Sequence, residues 1–211
     1  INFDTLYFEN LKYKSKEGCY RSKIKVLNKN NSLQDILIQT DEVTLNDIIT
    51  NENNDYFLKV GIISDKLYHF FFQLENKVKN TVYNKSNEWF NTIPSENIKN
   101  IYQSLFDVPL KIDETPQINI KIPVINGSIK SKFLDENGNL IGIKDLNNNQ
   151  KVKLILKLNS IKLFESKYIL DLYLYQLQIS DNNNLINYNN IFEESDDDII
   201  LSDSPEILSI K

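Results

Sequence analysis

The strongest constraint on the fold lies near the end of the chain, where two long alternating stretches flank a three-residue turn. Lys151 to Phe164 sets Val152, Leu154, Leu156 and Leu158 against Lys151, Lys153, Ile155 and Lys157. Tyr168 to Ile179 follows directly after Glu165-Ser166-Lys167. Successive side chains of a strand point to opposite faces, so each stretch reads as a long strand with one face buried. A short turn between two such strands favours their pairing as an antiparallel hairpin.

Further strands are expected over Tyr20 to Leu27, 33–39, 56–63, Gln117 to Pro123, Lys130 to Leu134 and Leu140 to Ile143. The last two flank Asn137-Gly138, a strong turn signal. Between 56–63 and Gln117 the period changes. Leu67, Phe70, Phe71, Leu74 and Val78 recur at helical spacing from Asp65. A second helix is expected from Ser95, as cap, to Phe106, closed by Val108-Pro109. At least seven strands and two helices without regular alternation argue against a doubly wound parallel sheet. They fit a mainly β domain, an open or closed barrel with helical insertions and antiparallel pairing.

Composition narrows the chemistry. Of 211 residues one is cysteine, Cys19, and one histidine, His69, which excludes a disulfide scaffold and argues against zinc and histidine-based catalysis. The five glycines form no phosphate-cradling loop. Asp113-Glu114 and Asp135-Glu136 fall in expected loops without a partnering motif, so neither an enzyme nor a cofactor is expected. No membrane span is expected, and the first 30 residues are too charged for a signal peptide. The 30 Asn, 29 Ile and 23 Lys, with Arg21 alone and no alanine, are the image of an AT-rich genome, so asparagine runs are poor markers of sites.

Charge is segregated. The net charge of −5 divides into +2 over residues 1–180 and −7 over 181–211. The latter segment carries Glu193, Glu194, Asp196, Asp197, Asp198, Asp203 and Glu206 among aliphatic residues. Such a block repels itself and does not build a core, so residues 1–180 are expected to form the domain, with a helical insertion around 65–106, and 181–211 a flexible acidic interaction tail. Within the tail, Asp198-Ile199-Ile200-Leu201 has the pattern of a strand offered to a partner sheet.

The binding candidates lie on the closing hairpin. Lys151, Lys153 and Lys157 share one strand face, Lys162 and Lys167 continue toward the turn, and Phe164, Tyr168, Tyr173 and Tyr175 interleave with them. Phe57 and Lys59 add a second cluster. Single-strand binders combine cations that neutralise phosphate with rings that stack on bases. A strand also shows lysines simply to water, and tyrosines also fill cores. A virion-assembly protein would bury Tyr173 and Tyr175 against a neighbouring subunit.

Several segments resemble the single-stranded DNA-binding proteins of nucleocytoplasmic large DNA viruses, which are related to podophage proteins of the same role. They are Asp55-Tyr56-Phe57-Leu58-Lys59-Val60, Ser86-Asn87-Glu88-Trp89-Phe90, Phe133-Leu134-Asp135-Glu136, Val152 to Leu158, Ile161 to Phe164, and Tyr173-Leu174-Tyr175-Gln176-Leu177. The resemblance implies an OB-fold-like barrel that binds single-stranded DNA without sequence preference in viral replication, recombination or repair. It implies a homodimer and an acidic tail contacting replication proteins such as a polymerase. It also implies residence in a viral replication compartment of host cytoplasm or nucleus, or packaging in the virion. The chain departs from that family at Lys162, where relatives favour Trp, and across Tyr168 to Leu172, where they favour Gly then Trp. The alternative is a viral structural or virion-assembly protein without nucleic-acid binding.

Overall fold

The computed structural model describes residues 3–28, 30, 32–51, 55–62, 64–90, 95–107, 115–180 and 206–209. In chain order the strands are β1 (Leu6–Phe8), β2 (Lys12–Lys14), β3 (Cys19–Leu27), β4 (Leu33–Gln34), β5 (Ile36–Gln39), β6 (Val43–Thr50) and β7 (Tyr56–Gly61). Helices α1 (Asp65–Asn84), α2 (Ser86–Trp89) and α3 (Ser95–Ile98) follow. Then come β8 (Tyr102–Gln103), β9 (Phe106–Asp107), β10 (Gln117–Ile122), β11 (Val124–Ile125), β12 (Ser128–Ile129) and β13 (Lys132–Leu134). The long hairpin is β14 (Lys151–Leu163) and β15 (Tyr168–Ile179), and β16 (Glu206–Ser209) lies near the C-terminus.

The result is a mixed β-sheet domain with inserted helices in an OB-like arrangement. β6 pairs antiparallel with β7, β7 with β10, and β15 with β14, which pairs with β6 again. The remaining contact in this circuit, β10 with β15, is parallel. This corrects the expectation of purely antiparallel pairing. Strand direction cannot alternate all the way round a circuit of five, so one neighbouring pair must run the same way. β13 and β8 also lie parallel to β15. The inward faces of the circuit supply the core, including Leu45, Leu58, Ile120, Leu156 and Leu174, each at most 1% exposed.

The other edge of β14 is shared among three strands. Its start pairs with β6, its middle with β5 and its end with β3. β1, β2 and β4 attach to β3, making a wing beyond the circuit. The wing is positioned by Ile24 and Val26, which are buried in the same core as Leu6 and Phe8 of β1. β16 pairs in parallel with the remaining edge of β5, Glu206 opposite Ile36 and Ser209 opposite Gln39. The strand-forming part of the acidic region therefore sits on the chain's own sheet at 206–209, and Asp198 to Leu201 lie outside the described residues.

Helix α1 begins where Ser64 accepts a hydrogen bond from the Leu67 amide at 3.4 Å. It buries Leu67, Phe71, Leu74, Val78 and Val82. Glu75 shares that buried face, which a carboxylate tolerates only with donors around it. The Tyr102 hydroxyl donates to it at 3.0 Å, Ser104 Oγ at 2.9 Å and the Leu105 amide at 2.6 Å. Burial, then the Glu75 charge, push the Tyr102 phenol far up, so it stays a donor.

These contacts explain a second correction. The helix expected over Ser95 to Phe106 ends after one turn at Ile98 and a 3-10 turn (Lys99–Ile101), and the chain then becomes β8 and β9. Glu75 and the edges of β15 and β10 recruit the backbone that would have continued the helix. The strand expected over 33–39 is broken at Asp35, and Leu140 to Ile143 contributes only a bridge from Leu140 to Leu134. Among the described residues no helix is long and apolar enough to cross a membrane.

Candidate nucleic-acid interface

Register aligns one residue from each of six strands across the outward face. Leu37 of β5 is opposite Lys157 of β14, Lys157 opposite Tyr173 of β15, and Tyr173 beside Lys121 of β10. Lys121 is opposite Phe57 of β7, and Phe57 opposite Ile49 of β6. Directly paired residues share a face of a sheet. The centre of this row therefore reads cation, ring, cation, ring. Its inward neighbours in sequence, Leu58, Ile120, Ile122, Leu172 and Leu174, are all core, so pleating holds the four central side chains outward.

A cleft of about 420 Å³ opens over this face, bordered by Lys157, Tyr173, Tyr175 and Lys121. Among the described residues seven cations line it against three carboxylates, Glu17, Asp35 and Asp55. Lys157 contacts Asp35 at 2.7 Å, and Lys25 of β3 contacts the other Asp35 oxygen. Lys121 meets Asp55 at 2.8 Å, a contact that holds the Asp55 carboxyl below its ordinary range. These carboxylates hold Lys25, Lys121 and Lys157 in ion pairs on this face.

Deeper in the cleft Lys162 lies 3.1 Å from Asp171, 3.0 Å from Glu17 and 3.3 Å from the Tyr173 hydroxyl. Burial works against its charge, but Asp171, Tyr173 and Glu17 outweigh burial and raise its pKa. Burial, with Asp171 beside it, pushes the Tyr173 phenol up to about 12, so it is neutral near pH 7. Lys162 is thus a buried support for the Tyr173 ring, whose centroid is 5.6 Å from the ammonium.

The other expected residues distribute as follows. Phe57 lies in the row, and Lys59, two residues on, shares its face and pairs with Asp107 at 3.3 Å. Lys153 is opposite Gln178 on the same face of the hairpin as Lys157. Lys151, at the start of β14, donates to Thr44 Oγ1 at 3.0 Å, away from the cleft lining. Phe164 and Lys167 sit at the hairpin turn, where Lys167 donates to Gln103 at 2.8 Å and stands 5.9 Å from the Phe164 ring. Tyr168 has to be removed from the surface set. It is fully buried, its ring 5.1 Å from that of Tyr102, because parity places it on the inward face with Leu170 and Leu172. Of the tail residues, Glu193, Glu194, Asp196, Asp197, Asp198 and Asp203 lie outside the described residues, and Glu206 opens β16.

Sequence reasoning missed Lys121, Lys25, Asp35 and Asp171. Lys121 carried a visible signal, alternation with Ile120 and Ile122, but nothing in the sequence placed its strand beside Tyr173. Among the described residues no group of three or more His, Cys, Asp or Glu is placed to hold a metal ion.

Asp35 invites a direct test. Burial raises its carboxyl, but Lys157 and Lys25 outweigh burial and hold it below the ordinary value. The stability it contributes is therefore complete above the unfolded carboxyl pKa of about 3.9 and is lost as pH falls through the lower folded value. Asp35→Asn is expected to flatten the acid limb of a stability–pH curve measured by urea unfolding.

No family model matches the chain, and no curated protein matches it in sequence. Among solved structures, the single-stranded DNA-binding protein from bacteriophage Enc34 is similar at a TM-score of 0.46 and 9% identity, over 86% of this chain and 96% of that one. Its C-terminal truncation gives 0.47 at 10% identity, covering 84% and 98%. The same protein in complex with single-stranded DNA gives 0.42 at 10% identity, covering 82% and 96%. The likeness is to a phage protein, and the large-DNA-virus family that the motifs resemble has no matching model. At this level of similarity, what the chain binds has to be read from its own side chains.

Proposed function

We propose that this domain binds single-stranded nucleic acid, DNA in the first instance, without sequence preference along the outward row of Lys157, Tyr173, Lys121 and Phe57. The single observation that carries the reading is that row. Phosphates and bases alternate along a nucleotide strand, and cations and rings alternate across these four strands. Rings accept any base because every base has a π-face, and only an unpaired strand can offer its bases to them. Among the described residues, seven cations against three carboxylates give the cleft a positive surplus into which phosphate can exchange.

The finer reading is a closed OB barrel. Numbering its strands as β6, β7, β10, β14 and β15, the pairing order is 1-2-3-5-4-1. Phe57 and Lys121 then stand on strands two and three, the face such barrels use for nucleic acid. In this reading the protein serves viral replication, recombination or repair, and the segment with charge −7 contacts basic sites on replication partners.

The test is fluorescence-anisotropy titration of labelled oligo-dT at several salt concentrations. Micromolar or tighter binding at low salt is expected, falling with log salt by about 0.7 for each phosphate neutralised. Equal affinity for duplex DNA of the same length, or no binding at low salt, would overturn the proposal.

A further inference from the structure

The outward face does not end at the row. Asp35 joins Lys157 to Lys25, and β3 carries the same face onto the wing. Lys25 is opposite Tyr7 of β1, and Arg21, which lines the cleft, is opposite Lys12 of β2. Lys14 lies two residues beyond Lys12, on the same face by parity. Tyr7 is 49% exposed, a large ring left to solvent on a strand whose other residues, Leu6 and Phe8, are core.

The wing differs from the cleft in how its charge is held. The cleft's Lys25, Lys121, Lys157 and Lys162 are engaged by carboxylates. Among the described residues Lys12, Lys14 and Lys23 form no ion pair. Lys23 lines the cleft where it meets the wing. Burial, and then repulsion from Lys25, lower the Lys23 ammonium, with Glu9 and Asp35 working in the other direction. An exposed ring opposite Lys25, with Lys12 and Lys14 farther along the same face and a cation-lined cleft adjoining, is complementary to the sugar-phosphate backbone and one further base.

We propose that the wing is a second segment of the nucleic-acid path. A strand leaving the cleft runs across β3, with its phosphates on Lys23, Lys12 and Lys14 and a base on Tyr7. The inference rests on the central row as the first segment. Its consequence is a site longer than the row, with extra affinity that appears only when the ligand reaches the wing.

The experiment compares oligo-dT of about 6 and about 20 nucleotides, lengths chosen to bracket the span of a single OB-type site. The wild-type chain is set beside a triple variant, Tyr7→Ala, Lys12→Gln and Lys14→Gln, all at exposed positions. The variant is expected to hold the short oligonucleotide as wild type does. It should bind the long one ten- to a hundred-fold more weakly, with a salt slope shallower by about 1.4, the share of two lysines. Matching affinities and slopes of variant and wild type on the long oligonucleotide overturn the wing and leave the row standing. An equal loss on both lengths also overturns it, because the residues then act on the first segment. Wild-type protein that binds neither length removes the row and the wing with it.

Discussion

Replacing Phe57 and Tyr173 together by leucine is expected to weaken oligo-dT binding by about 2–6 kcal/mol, the sum of two base-stacking contacts of about 1–3 kcal/mol each. That is roughly thirty-fold at the least. Leucine keeps the apolar body of each side chain and removes the π-face, so the loss reports stacking more than packing. The fold is expected to survive. Phe57 is only half-buried, and Lys162 keeps Asp171 and Glu17 when the Tyr173 hydroxyl goes. Phe72→Leu on α1, at a ring 45% exposed, serves as control and should change nothing. A double variant within twofold of wild type in anisotropy titrations would mean the rings do not touch bases, and the row would lose its function.

The second large effect concerns stability. Asp171 is 4% exposed and accepts from Ser160 Oγ at 3.1 Å and Asn159 Nδ2 at 2.8 Å, besides facing Lys162 and Arg21. Asp171→Ala removes the buried partner of Lys162 and Arg21 and leaves these two mostly buried cations sharing Glu17, whose side chain is 37% exposed. Breaking one side of a buried ion pair costs about 3–5 kcal/mol, because the surviving charge is left uncompensated. Urea unfolding should show that loss as a lower midpoint at unchanged slope. Asp4→Ala provides the contrast. Its carboxylate pairs with Lys77 at 2.8 Å but is 85% exposed, and exposed pairs contribute at most about 1 kcal/mol. Similar losses in the two variants would show that the Asp171 network is hydrated and carries no special weight.

The Asp171 network also bears on the ligand. Glu17, Asp35, Asp55 and Asp171 pair with the cleft cations, so on the proposed function a phosphate gains less from each lysine than from a free one. In return, the lysines lose less conformational freedom when they engage it. Asp35→Asn separates the two effects, since it frees Lys25 and Lys157 without touching the rings of the row.

Where local pattern and tertiary role agree, the sequence was legible. Helix α1 followed its Leu67-Phe70-Phe71-Leu74-Val78 stripe, although it runs on to Asn84 through a polar turn that hides the buried Val82. The hairpin of β14 and β15 emerged with the expected inward set. β6 was missed for an identifiable reason. A register shift between Leu45 and Asp47 changes which residues face inward, so Val43 to Thr50 never alternates cleanly. The second helix failed because Glu75 and two strand edges offered its residues better partners than their own backbone. Tyr168 was misplaced for want of one parity step, since a tyrosine next to a lysine reads as surface until its strand is counted from Leu170 and Leu172.

What the amino-acid order determined unaided was the set of parts: which strands have one apolar face, where the long helix interrupts them, and that the outer face of the last hairpin mixes lysine with tyrosine. These follow from side-chain periodicity, a local property. Tertiary structure decided which residues from distant strands became neighbours. It set Lys121 between Phe57 and Tyr173, tied Lys25 and Lys157 to one carboxylate, and buried Lys162 as a support. Sheet register fixes those positions through backbone pairing across 51 to 119 residues of intervening chain, and no local pattern encodes it.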